Sequence, residues 1–71
     1  VAEPLPAAAP DEGWYAAART ALMALLAPAP APIDDLTRLS ALPAAQVASV
    51  LLDLELEGVI VRHAGARVAL G

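Results

Sequence analysis

The sequence predicts a winged helix-turn-helix, a mainly α domain with a small β-hairpin, built as a three-helix core plus a short wing. Three observations carry that prediction. Val47, Val50, Leu51 and Leu54 recur at helical spacing within LPAAQVASVLLDLELEG, which sets four large apolar side chains on one stripe. Two further apolar-periodic stretches precede it, and a pair of β-prone runs around a glycine turn, VIVRH and RVAL, follows it directly. Helix, helix, helix, hairpin is the element order of that fold.

The opening stretch, VAEPLPAAAP, has no hydrophobic period and is rich in proline and alanine. Residues 1–10 are expected to be an extended linker, which implies an upstream neighbour and a chain that is a fragment of something longer; the same composition also fits a merely frayed terminus. Residues 11–71 are the expected domain. Asp11 can cap the first helix and Glu12 adds favourable charge at its start. Trp14, Ala18, Ala21, Leu22, Leu25 and Leu26 then recur at helical spacing until Pro28 forbids continuation. The first helix is expected over Glu12 to Leu26, with Trp14 and Tyr15 closing one end of the core.

Prolines keep Ala27 to Ile33 extended, so Ile33 can add one edge residue to a sheet. Asp34 is the expected N-cap of a two-turn helix that buries Leu36 and Leu39. Ala41 and Leu42 form the turn into the third helix, and an alanine at a position suited to a left-handed residue predicts a strained or differently built turn. Pro43 suits a first helical turn and Gly58 a helix end with positive φ. In the hairpin, Ile60, Val68 and Leu70 are expected to face the helices, with Gly65 supplying the turn.

At 71 residues the chain affords one small core, and a domain this size buries only about 60% of its unfolded surface. With no cysteine there is no disulfide framework or thiolate nucleophile, so stability must come from packing. The apolar runs fall short of the roughly 20 residues a membrane span requires, and no signal peptide is read at the N-terminus. A net charge of −4 and a pI near 4.5 have the wrong sign for gripping nucleic acid by bulk electrostatics.

No catalytic, cofactor-binding or metal-binding residues are expected. Asp34 and Asp35 are paired carboxylates, but both fall at a helix N-terminus, where acids are stabilising without any chemistry. His63, the lone histidine, has no nucleophile at a recognisable spacing.

The run ALLAPAPAPIDDLTRLSALPAAQVASVLLDLELEGVIVRHAGARVAL resembles the C-terminal winged-helix domain of the bacterial DNA-processing protein A family (DprA/Smf). Its most telling pieces are IDDLTRLSALPAAQV, the helix-turn-helix, and LLDLELEGVIVRHAGARV, where a Leu-rich helix end meets a short glycine-turned wing. Ala41 and Ala66 depart from the family pattern, standing where glycine is common. The resemblance implies a cytoplasmic, non-enzymatic domain at the far end of a protein whose separate core binds single-stranded DNA and loads RecA recombinase during natural transformation. DNA and RecA are then partners of the parent protein.

Two functions follow for the domain itself. One is weak DNA contact through the wing, by Arg62, His63 and Arg67, with Gln46 the one base-reading side chain on an outward face of the third helix shared with Ala45, Ser49 and Asp53. Asp53 and Glu57 would lie near phosphates and repel them. The other is a protein interaction or self-association module built on Leu52 and Leu56, which fall away from the core stripe. The wing or the linker could instead cover that pair.

Overall fold

The computed structural model describes residues 12–71, so the linker and the Asp11 cap lie outside the described residues. Helix α1 runs over Glu12–Leu25, α2 over Ile33–Ser40 and α3 over Ala44–Leu56, with strands β1 at Ala31–Pro32, β2 at Ile60–His63 and β3 at Arg67–Leu70. The strands form one antiparallel sheet in the order β1-β3-β2. This is the expected winged helix, with a two-residue third strand added to the hairpin.

The core forms where the three helical stripes meet the sheet. Ala18, Leu22 and Leu26 from the α1 region, Leu36 from α2, and Val47, Val50, Leu51 and Leu54 from α3 are buried together with Ile60 and Val68. The α3 stripe is therefore the core face its spacing predicts. Leu70 is half-buried against the same cluster, and Ala69, on the central strand, is buried too.

Several local expectations are corrected. Asp34 is not the cap of α2: the helix begins at Ile33, its N-cap is Pro32, and no side chain caps it. Pro32 already holds the extended backbone (φ −62°, ψ 139°) that a helix entry needs, and Asp34 and Asp35 sit in the first turn. The edge of the sheet is made by Ala31 and Pro32, opposite Val68 and Arg67, and not by Ile33. The Ile33 amide donates to the Ala66 carbonyl at 2.9 Å, so the helix starts while still tied to the wing turn. Ile33 and Leu36 pack inward, whereas Leu39 is 63% exposed. Trp14 is 39% exposed, and Tyr15, edge-on to it at 5.5 Å between ring centres, packs against the core in its place.

The turn into α3 is strained at the expected residue. Ala41 adopts a left-handed conformation (φ 59°, ψ 25°), with its amide donating to the Arg38 carbonyl at 3.3 Å. An L-residue with a Cβ pays roughly 1–2 kcal/mol there, offset in part by the backbone entropy glycine would lose on folding. Ala41→Gly is expected to raise stability by about 0.5 to 1 kcal/mol, read as a higher denaturant midpoint with an unchanged m-value. Ala66, in the wing turn beside Gly65, likewise has a positive φ, 54°.

Helix α3 ends in a Schellman motif. The Val59 amide donates to the Leu54 carbonyl at 2.9 Å and the Gly58 amide to the Glu55 carbonyl at 3.1 Å, with Gly58 at φ 81°. Val59 packs against the core, so the same turn that stops the helix aims β2 at the sheet.

Candidate functional surfaces

The wing tip is a three-residue loop, 64–66, between β2 and β3. Cross-strand pairing sets Arg62 opposite Val68 and His63 opposite Arg67. The hairpin thus gathers Arg62, His63 and Arg67 at one end of the domain, and all three are exposed. Arg62 is not an available cation, however. Its Nε and Nη2 both donate to Glu55 Oε1 of α3, at 3.3 and 3.2 Å, so the charge expected to meet a phosphate is offset from within. Arg67 donates from Nε to the Ala64 carbonyl at 2.9 Å, which braces the loop, and has no carboxylate partner among the described residues.

The other two arginines are likewise engaged. Arg19 on α1 forms a two-pronged pair with Glu57, Nη2 to Oε1 at 2.6 Å and Nη1 to Oε2 at 3.1 Å. Arg38 meets Asp35 at 3.0 Å within α2. These are surface bridges, worth about 0–1 kcal/mol each; their importance here is that they remove cations from the pool that could neutralise phosphates.

On α3, Asp53 accepts a 2.6 Å hydrogen bond from the Tyr15 hydroxyl of α1. That bond to a carboxylate, helped by desolvation, pushes the Tyr15 phenol above its ordinary range, although neighbouring Arg19 opposes the shift. Pairing with Glu57 and the contact with Tyr15 raise the Arg19 pKa further above its already high value. Asp53 and Glu57 therefore clamp α1 onto the flank of α3, Asp53 half-buried and Glu57 still exposed. Gln46 shares their stripe, at i−7 from Asp53, and is half-buried, so the one amide expected to read a base lies on the flank of the helix. This clamp was missed in the sequence, though a signal existed. Tyr15 and Arg19 on one helix, and Asp53 and Glu57 on another, are both i,i+4 pairs beside an apolar stripe.

What remains on the outward face of α3 is Ala45, Ala48, Ser49, Leu52 and Leu56, all exposed. Leu52 is 51% and Leu56 77% exposed, and no described residue covers them. Leu56→Glu is expected to change stability by less than about 0.5 kcal/mol, checked by thermal melting beside the parent. A large loss would instead reveal a cover over this leucine, since it would bury an unpaired carboxylate.

No group of His, Asp and Glu side chains that could hold a metal occurs among the described residues, and no described helix is long and apolar enough to cross a membrane. Against known proteins, a family model described as the DprA winged helix domain matches residues 2–66. No curated protein matches the chain.

Proposed function

The chain belongs to the DprA winged helix domain family, and on that premise we propose that it is an auxiliary, non-catalytic domain of a cytoplasmic DNA-processing protein that works by protein contact through α3 and not by reading DNA. The observation that carries this reading is the outward face of α3. Where a DNA-reading helix presents Arg, Lys, Asn or Gln to base edges, this one presents three exposed small residues, Ala45, Ala48 and Ser49, and two exposed leucines. Only the Ser49 hydroxyl could hydrogen-bond a base. An apolar centre rimmed by charged side chains is the anatomy of a protein interface, and here the rim is supplied by Arg19, Glu57, Glu55 and Arg62. On the resemblance, single-stranded DNA binding and transfer to RecA belong to a separate core, and this domain adds neither.

The wing supports a second, lesser reading. Arg67, lacking a carboxylate partner among the described residues and facing His63 across the strands, can reach one phosphate. One neutralised phosphate gives a salt slope of only about −0.9 in log K against log salt. Such a contact could assist a stronger binder and could not hold DNA alone. If this wing contact exists, Arg62→Glu with Arg67→Glu is expected to abolish whatever DNA binding the chain shows, while Arg62→Glu alone changes less because Glu55 already offsets that charge.

Fluorescence anisotropy against a short duplex and a single strand, at about 50 mM and about 200 mM salt, tests the proposal. Binding weaker than about 10⁻⁴ M at the higher salt supports it. Saturable micromolar binding with a steep salt slope overturns it.

A further inference from the structure

Resting on the protein-contact reading, we propose that the outward face of α3 receives a single amphipathic α-helix from another protein, one with apolar residues at coiled-coil spacing and a net positive charge along its flanks. Three observations identify this occupant: the spacing of the exposed stripe, its size and the charge of its rim.

Ala45, Ser49, Leu52 and Leu56 follow one another at steps of four, three and four residues. That is the alternation by which one helix presents a continuous seam to a second helix, each side chain seating between residues of the partner. The small residues at the N-terminal end, Ala45 and Ser49, allow a close approach of backbones, and the exposed leucines at the other end supply the apolar contact. A strand or a loop has no matching period.

Size separates a single helix from a whole domain. Eleven residues of rise span about 17 Å, and a helix is about 10 Å wide, so the seam is far smaller than the ~800 Å² per partner of a standard interface. One helix fills it, with the reversible affinity such small contacts give. A second copy of this chain would be held by no more area than this.

Charge sets the sign of the partner. The seam is bordered on one flank by Asp53 and Glu57, which face Tyr15 and Arg19, and on the other by Glu55, paired with Arg62. Three carboxylates stand against two guanidiniums. The Glu55 and Glu57 side chains remain 36% and 47% exposed, open to a further cation, and the whole chain carries −4. Two copies would set these acidic borders against each other, whereas lysine or arginine at the flanks of an incoming helix meets opposite charge.

The test uses the full chain and two synthetic helical peptides of about five turns, both with leucine and alanine at the seam positions, one with lysine and the other with glutamate at the flanks. Titration is followed by heteronuclear NMR. The lysine peptide is expected to bind at least about tenfold more tightly than the glutamate peptide, to shift the amides of Ala45, Ser49, Leu52 and Leu56, and to lose at least about tenfold in affinity against Leu56→Glu. Leu56→Gln is a second variant, adding no charge and expected to weaken binding in the same direction. Equal affinity for both peptides, binding that survives both variants, no binding of either peptide, or sedimentation as a Leu56-dependent dimer would each overturn the proposal. If neither peptide binds and DNA does not bind either, the basic helix is excluded while the protein-contact reading stands. If DNA binds tightly across α3, both fall.

Discussion

Leu54→Ala is expected to lower the unfolding free energy by about 2 to 5 kcal/mol. Leu54 is fully buried at the centre of the only core cluster described, where α3 meets the other helices and the sheet. Its backbone carbonyl also receives the Val59 amide that closes the helix, so the residue stands at the turn where α3 leads into β2. A domain of this size has little reserve: natural stabilities run at about 5–15 kcal/mol, and small domains sit at the low end. Most of the population is therefore expected to be unfolded near physiological temperature, seen as lost helical circular dichroism and a broadened or absent melting transition. A melting point within a few degrees of the parent would mean that α3 does not present this face to the core.

Gly58→Val is the second large effect, expected to cost about 2 kcal/mol. At φ 81° the residue lies where a β-branched side chain is a conformational outlier, and a Cβ placed there meets nothing within 4 Å. The cost at Cβ is thus that of the residue's own backbone conformation and not of a clash with a neighbouring element, which makes the position a test of the helix end. Gly58→Ala should fall between parent and valine variant, and Gly58→Asn close to the parent, because asparagine tolerates the left-handed region. Urea denaturation of the three variants gives the order. A valine variant as stable as the parent would show that the Schellman turn does not form.

These two residues were legible in the sequence because helix phase and helix termination are local. The i, i+3, i+4, i+7 recurrence that marks Val47 to Leu54 is decided by neighbours along the chain, as is a glycine following a leucine-rich helical turn. Ala41 was legible for the same reason: a turn of that length needs a left-handed residue whatever side chain it carries. The edge strand was read less well. Ala31 and Pro32 acquire strand character only from β3, more than thirty residues on, and nothing within APAPAPI distinguishes the paired residues from their neighbours. Leu39 lies one position before the end of α2 and is exposed; its i+3 spacing from Leu36 fits a shared face, and only the packing of the helix against its neighbours decides how much of that face is covered.

The candidate surfaces divide along the same line. Leu52 and Leu56 followed from the wheel of α3 alone. Arg62 was assigned to the wing tip by position, but its electrostatic state depends on Glu55, on a different element, and that pairing exists only once the Gly58 turn folds β2 back beside the helix. The same holds for Asp53 and Glu57, whose charges are engaged only once α1 supplies Tyr15 and Arg19. A formal charge in a sequence is not yet a free charge on a surface, and in a chain with four basic residues each pairing changes the functional reading.

The central claim is that α3 faces a protein and not DNA, and it is tested most directly by adding a short duplex at about 50 mM salt to isotopically labelled chain and following every backbone amide. Shifts confined to the wing, around His63 and Arg67, with the amides of Ala45, Ala48, Ser49, Leu52 and Leu56 unmoved, are the predicted result. Saturable shifts running along the outward face of α3 would contradict it.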